Sequence, residues 1–180
     1  MRVISGSLKG RKIDGFDLEG TRPTMDRVKE SLFAIIQDKM VDSICLDLFS
    51  GSGNLGIEAI SQGAKQVYLV DYNKKAVKII YKNIETFHIE SKCSVLNLDY
   101  KSAIKELSNV KFDIIFLDPP YKTNYIEESI KLIEQYDMLS DKGIIICESD
   151  SLDKIIYSMN YHEIKNKKYG DKYIVILEKI

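Results

Sequence analysis

Residues 112 to 121 read Phe-Asp-Ile-Ile-Phe-Leu-Asp-Pro-Pro-Tyr, an apolar run that ends in a carboxylate, two prolines and an aromatic ring. That ending suits one kind of chemistry. An exocyclic amine on a flat ring is a poor nucleophile because its lone pair is delocalised into the ring, so attack needs acceptors that hold both N–H bonds out of plane. Asp118 and the Pro119 carbonyl can be those acceptors. The Pro119-Pro120 pair fixes φ and donates no hydrogen bond, which holds that carbonyl rigidly, and Tyr121 offers a face on which a base can stack. The same residues also describe a strand closed by a Pro-rich turn, since Asp and Pro are frequent turn formers.

Upstream, the apolar run Ile44-Cys-Leu-Asp-Leu-Phe49 leads into Ser50-Gly-Ser-Gly-Asn-Leu-Gly56, and a helical pattern follows at once. Gly51 and Gly53 allow a tight turn and close approach to a ligand, and Gly56 allows a helix to pack closely on a strand. Gly51 to Gly56 satisfies G-x-G-x-x-G, and Asp71 stands 20 residues after Gly51 at the end of Val67-Tyr-Leu-Val-Asp71. A dinucleotide-binding reading therefore competes. Charge opposes it, because a pyrophosphate wants positive potential, whereas residues 44 to 63 contain no Lys or Arg and carry Asp47 and Glu58. S-adenosylmethionine, with its sulfonium and ammonium groups, fits such a loop better. Asp47 would attract its cationic amino-acid end, Asp71 would accept from the ribose hydroxyls, and Asp99, ending the run Cys93-Ser-Val-Leu-Asn-Leu98, would accept from the adenine amine.

Asp47-Leu-Phe-Ser-Gly-Ser-Gly-Asn-Leu-Gly56, Val70-Asp71, Asp99 and Asp118-Pro-Pro-Tyr121 resemble, in order and spacing, the motif series of class I methyltransferases that alkylate amino groups. Thr21-Arg-Pro-Thr-Met-Asp-Arg-Val-Lys-Glu-Ser-Leu-Phe33, preceded by Met1-Arg-Val-Ile-Ser-Gly-Ser-Leu-Lys-Gly-Arg11, is similar to the start of the RsmD family, which methylates guanine N2 in bacterial 16S ribosomal RNA. The resemblance extends to Tyr169-Gly-Asp-Lys-Tyr-Ile-Val-Ile176 and so covers essentially the whole chain. It departs at Asp71, where members of the family often carry Glu; a ribose contact survives that shortening. The resemblance implies a Rossmann-like fold, mostly parallel, with helices on both faces of the sheet and a C-terminal antiparallel hairpin. It implies S-adenosylmethionine as cofactor and 16S ribosomal RNA, within a small-subunit assembly, as partner. On it the expected cofactor site comprises Asp47, Phe49, Gly51, Gly53, Asp71, Tyr72, Asp99, Tyr100, Arg22 and Thr24, and the expected catalytic group is Asp118, Pro119, Pro120 and Tyr121.

Composition agrees with a single enzyme domain. A chain of 180 residues can bury roughly 70% of its unfolded surface, and 44% hydrophobic residues with a net charge of −1 describe an ordinary globule. Residues 1–40 form an N-terminal extension and 41–180 the expected catalytic core. Three cysteines, Cys45, Cys93 and Cys147, lie in or beside apolar runs, and only His88 and His162 are available besides. Reduced, buried thiols and no metal site are expected. No signal peptide or membrane span is visible, so the expected setting is the cytoplasm, with a monomeric protein.

Strand-like runs near 44–49, 67–71, 93–98, 112–117 and 143–148 alternate with helical patterns over 54–62, 73–87, 100–107 and 124–136, which predicts βαβ units and a parallel sheet. Asn73 is placed to cap its helix. Segments 161–167 and 172–179, flanking Tyr169-Gly170-Asp171, predict a hairpin. The candidate residues Asp47, Asp71, Asp99 and Asp118 all end strands, where open α/β sheets bind ligands. In the extension, Arg2-Val-Ile and Gly10-Arg-Lys-Ile13 can pair, and Thr24 can cap a helix turning Val28, Leu32, Ile35 and Ile36 to the core.

All four arginines, Arg2, Arg11, Arg22 and Arg27, fall within the first 27 residues, whereas the other 22 of the 26 basic residues are lysines. The guanidinium fork suits phosphate and stacks on bases. Arg2 and Arg11, with Lys9 and Lys12, are expected on the RNA backbone together with Arg27, and Arg22 nearer the pocket; structural pairing of Arg22 or Arg27 with Asp26 or Glu30 is the plain alternative. Lys165, Lys167 and Lys168 read more simply as a solvated hairpin, and Tyr125 is close enough in sequence to line the Tyr121 pocket.

The expected reaction is direct methyl transfer to a guanine amine in a flipped-base pocket, governed by alignment. A DNA adenine methyltransferase, a protein glutamine methyltransferase and an NAD-type binding module remain alternatives. Asp118→Ala is expected to abolish methyl transfer while leaving S-adenosylmethionine binding largely intact. Turnover assays paired with cofactor titration check this, and wild-type turnover would remove Asp118 from the chemistry.

Overall fold

The strand-like runs do become one sheet. The computed structural model describes residues 1–15, 23–120 and 123–180, the side chains of residues 23–25 excepted. The expectations placed on Arg22, on Tyr121 and on the Thr24 side chain lie outside the described residues.

Seven strands, β1 (Ile44–Asp47), β2 (Gln66–Val70), β3 (Cys93–Leu96), β4 (Phe112–Leu117), β5 (Leu139–Ser149), β6 (Tyr161–Tyr169) and β7 (Lys172–Lys179), pair in the order β3-β2-β1-β4-β5-β7-β6. The pairs from β3 to β5 are parallel, and β7 enters antiparallel to both β5 and β6. The chain therefore reverses its winding between β1 and β4, and the carboxyl ends on either side of that switch open a crevice. β1 and β3 end two residues earlier than expected. β5 starts four residues earlier, at Leu139.

Helices α2 (Asn54–Ser61), α3 (Lys74–Phe87), α4 (Tyr100–Glu106) and α5 (Tyr125–Gln135) fill the connections. The α3 stripe of Ala76, Val77, Ile80 and Ile84 is buried, and Asn73 caps the helix by accepting from the Lys75 N–H at 2.9 Å. Two apolar clusters cover the faces of the sheet. One holds Ile57, Ile80, Leu69 and Phe116, and the other Leu48, Ile104, Ile115 and Ile130. Cys45 and Cys147 are buried free thiols and Cys93 is half-buried. Among the described residues no helix is long and apolar enough to cross a membrane.

The N-terminal extension packs on this frame. Strand-like pairing of its two arms is seen in Val3 N–H to Arg11 O (2.9 Å) and Ile13 N–H to Met1 O (3.0 Å), with Arg2 opposite Lys12. Val3 and Ile13 join the first cluster. Helix α1 spans Pro23–Ile35, so Thr24 is a residue of the first turn rather than its cap. Pro23 opens the helix instead, because proline's missing N–H would be unsatisfied there anyway. Leu32 and Ile36 are buried as expected, and Phe33, stacked on Phe116 at 5.8 Å, is buried with them.

Glu58 of α2 holds the extension. Its two carboxylate oxygens accept from the Ile4 N–H (2.9 Å), the Ser5 N–H (2.9 Å) and Gln62 Nε2 (2.8 Å), and pair with Lys29 Nζ of α1 at 2.9 Å. Lys29, 4% exposed, also donates to Arg2 O at 2.6 Å and Asn54 Oδ1 at 2.8 Å. The charge argument that placed Glu58 in the glycine crevice is thereby corrected: its charge is engaged by Lys29 and the extension. Removing one partner of a buried pair strands the other. Glu58→Gln is expected to lower stability by about 3–5 kcal/mol, read as a reduced midpoint in urea denaturation.

Candidate active site

Asp47, the last residue of β1, is 1% exposed, and its Oδ2 accepts from the Gly56 N–H at 3.1 Å. Gly56 lies in the first turn of α2, so the carboxylate sits at a helix N-terminus, where negative charge is favoured. A Cβ on Gly56 would lie 2.7 Å from Leu69 Cδ2 and 3.0 Å from Val67 Cγ1, so a larger residue there would push these β2 side chains aside; glycine lets α2 settle closely on β2. Gly53 caps the helix in the left-handed region, with φ of 83°. Burial pushes the Asp47 carboxyl up to about 7, with Asp71 adding to the rise and the Gly56 N–H opposing it.

The loop between β1 and α2 is stitched to β2. Ser50 exchanges hydrogen bonds with Val70, N–H to O at 2.8 Å and N–H to Oγ at 2.9 Å. Gly51 N–H donates to Asp71 Oδ2 at 2.9 Å, and Asn73 N–H donates to Asp71 Oδ1 at 2.8 Å. Asp71 thus fixes the loop and still has acceptor capacity on both oxygens. Tyr72 follows, 71% exposed, its carbonyl held by Asn97 Nδ2 at 3.0 Å. Asp99 caps α4: its Oδ1 accepts from the Lys101 and Ser102 N–H groups and its Oδ2 from Ser102 Oγ at 2.6 Å. Those bonds hold its carboxyl below the usual range. The expected cofactor acid is also a helix cap.

Phe49, Tyr100 and Tyr125 gather beyond β1. Tyr125 lies 6.1 Å from Phe49 with planes 8° apart, and 4.6 Å from Tyr100. The Tyr100 hydroxyl donates to Glu128 of α5, which also pairs with Lys101 at 2.8 Å. These rings can wall an aromatic ligand; Phe49 and Tyr100 were expected near it, and Tyr125, suggested only by its closeness to Tyr121, completes the set.

Asp118 follows β4 directly and is partly buried. Burial pushes its carboxyl up to about 8, reinforced by Glu148 and Asp47 and opposed by Lys172. Glu148, on β5, and Lys172, on β7, form an ion pair that the motif reading did not anticipate. The signal was present in Gly143-Ile-Ile-Ile-Cys-Glu148, a fifth apolar run ending in an acid. Asp47, Asp71, Asp118 and Glu148 together make this edge a place for a cationic ligand that also carries hydroxyl and amine donors.

The N-terminal cations are placed less simply. Arg2 is exposed and pairs with Asp26 at 3.3 Å. Arg11 donates to Thr86 O at 2.5 Å, at the end of α3, and lies 4.5 Å over the Phe87 ring. A cation at a helix carboxyl end is favourable in itself, so phosphate is not needed to explain Arg11. Lys9, Lys12 and Arg27 are exposed.

A parallel sheet in this order, closed by an antiparallel β7, with a glycine loop after β1 and acids at its strand ends, is the Rossmann-like methyltransferase fold. The chain belongs to the family described as conserved hypothetical protein 95, whose model matches residues 1–178, the family of the ribosomal RNA small subunit methyltransferases D. It is 36% identical to ribosomal RNA small subunit methyltransferase D of Haemophilus influenzae, covering 94% of this chain and 89% of that one. It is 41% identical to YlbH of Bacillus subtilis over 83% of each chain. The solved yhhF protein of Escherichia coli superposes with a TM-score of 0.88 at 31% identity, over 99% of this chain and 97% of that one.

The raised Asp118 carboxyl has a stability consequence. Its ordinary value is 3.8, against about 8 in the fold. Between those values the folded protein keeps a proton that the unfolded chain has released, so stability falls as pH rises through the window, and the cost is complete above it. Asp118→Asn is therefore expected to stabilise the ligand-free protein at pH about 9 by on the order of 1–2 kcal/mol. The gain should vanish towards pH about 4, as measured by urea denaturation at both ends of the window.

Proposed function

We propose that this chain methylates the exocyclic N2 amine of a guanine in 16S ribosomal RNA, using S-adenosylmethionine. The observation that carries the reading is the meeting of Asp118-Pro119-Pro120 with the glycine loop and Asp47 at one sheet edge, in a chain of this family. The whole chain acts as one methyltransferase domain, with residues 41–180 as catalytic core and 1–40 as the RNA-facing extension, working as a monomer in the cytoplasm on a small-subunit assembly.

Asp47, Phe49, Gly51, Gly53, Asp71, Tyr72, Asp99, Tyr100, Arg22 and Thr24 would hold the cofactor. When bound, it supplies a methyl group on a positively charged sulfur, and that charge also favours the ionised forms of Asp47 and Asp118. Asp118 and the Pro119 carbonyl accept from the guanine amine, and the adjacent N1–H can reach the same carboxylate. These bonds turn the nitrogen lone pair towards the donor. As nitrogen gains its methyl group it sheds one proton, for which Asp118 is the acceptor. A base in a paired stem must leave its stack, and Tyr121 with Tyr125 would replace the lost stacking. Arg2, Lys9, Arg11, Lys12 and Arg27 would meet the RNA backbone; the Arg11 contact at the end of α3 leaves its other N–H groups for phosphate.

Mass spectrometry of 16S ribosomal RNA from cells lacking this gene tests the reading. One N2-methylguanosine should disappear and return with the wild-type gene, but not with Asp118→Ala. An unchanged set of modified nucleotides would overturn it.

A further inference from the structure

Three carboxylates crowd the end of β4. Asp118 is influenced by Glu148 from β5 and Asp47 from β1, and Asp47 is in turn influenced by Asp71 from beyond β2. Among the described residues, the one cation acting on Asp118 is Lys172, from β7. Strand register explains why these groups meet. Leu117 pairs with Cys147 in parallel, so the register carries Asp118, just past the end of β4, alongside Glu148 of β5. Glu148 pairs with Ile174 across the antiparallel β5–β7 ladder. Lys172 stands two residues before Ile174 and therefore shares its face of the sheet, diagonal to Glu148 and within reach of it. The two side chains form an ion pair, with the Glu148 side chain 15% exposed.

We propose that Glu148 and Lys172 are a positioning pair for the amine-accepting carboxylate: Lys172 is the cation that favours the ionised form of Asp118 among its acidic neighbours, and Glu148 helps to fix where that ammonium stands. The proposal rests on Asp118 being the amine acceptor. A protonated Asp118 has lost one acceptor site and cannot take the proton that the amine sheds, so a cation at this place has a direct chemical use. An ordinary cross-strand ion pair would instead only stabilise the hairpin against β5. The two roles separate because the partners act on Asp118 with opposite sign. Removing Lys172 leaves two carboxylates beside a third and disfavours ionisation. Neutralising Glu148 removes a repelling charge beside Asp118, which favours ionisation.

The test reads Asp118 directly. Full-length protein labelled at the aspartate carboxyl carbons is titrated by NMR, with Asp118→Asn identifying the resonance, in wild type, Lys172→Gln, Glu148→Gln and the double variant. Lys172→Gln should move the Asp118 midpoint up by about one pH unit and Glu148→Gln should move it down by a similar amount. The double variant should fall between them, and Lys172→Arg should restore the wild-type curve. The acidic limb of methyl transfer to 16S ribosomal RNA should move in the same order. Coincident midpoints, or single variants moving in the same direction, overturn the proposal. Opposed midpoints in a protein that leaves 16S ribosomal RNA unmethylated would instead sink the assigned substrate and leave the charge coupling standing.

Discussion

The Glu58 carboxylate meets four donors from three parts of the chain: Ile4 and Ser5, Lys29, and Gln62. A carboxylate has about four acceptor positions, so it is saturated, and a buried charge can persist only on those terms. The rest of the architecture depends on this knot. It fixes α2, the helix that the glycine loop opens, to the N-terminal arms and to α1. Two smaller ties run in parallel. Ser61 accepts from the Leu8 N–H at 2.9 Å, and Asn83 links Asp14 O to Ser52 O through its amide at 2.9 and 3.0 Å. The extension is thus part of the frame that shapes the loop.

At the start of the same helix, where Gly56 meets Asp47, the electrostatics are left incomplete. Asp47 and Asp118 carry carboxyls pushed up to about 7 and about 8, chiefly by burial and next by one another's neighbours. Where Glu58 is matched donor for donor, among the described residues Asp47 is met by the Gly56 and Phe49 N–H groups and Asp118 by the Lys172 ammonium. A site that loses stability in this way gains affinity for whatever cation fills it, since binding supplies the missing partner.

Much of this was legible in the residues. Apolar runs ending in Asp47, Asp71 and Asp118 located strand ends, because a buried strand must be apolar and its acid must reach water or a partner. The hairpin around Gly170 and the cap at Asn73 followed from local turn and capping chemistry. What was not legible shares another physical origin. Glu58 and Asp47 are eleven residues apart on adjoining elements, and sequence alone could not tell that one faces the extension and the other the crevice. Arg11 also meets a helix end and a phenyl ring, contacts that could not be read in advance because they are set only by tertiary packing. Glu148 was marked by its apolar run, but its pairing with Lys172 escaped notice because the antiparallel insertion of β7, which brings the two together, leaves no mark in the sequence.

The outermost strand gives the lysines of the hairpin a meaning of their own. Residues 162–168 of β6 are exposed throughout, and among the described residues one side of the strand has no neighbour in the sheet. Such an open rim invites another chain to add itself as an eighth strand. Lys165, Lys167 and Lys168 line it with like charge, and the register slips between Glu163 and Lys165, so a second copy would meet both repulsion and a broken ladder. The run of lysines can thereby keep the protein from self-templating into aggregates, whether or not any nucleic acid ever touches it.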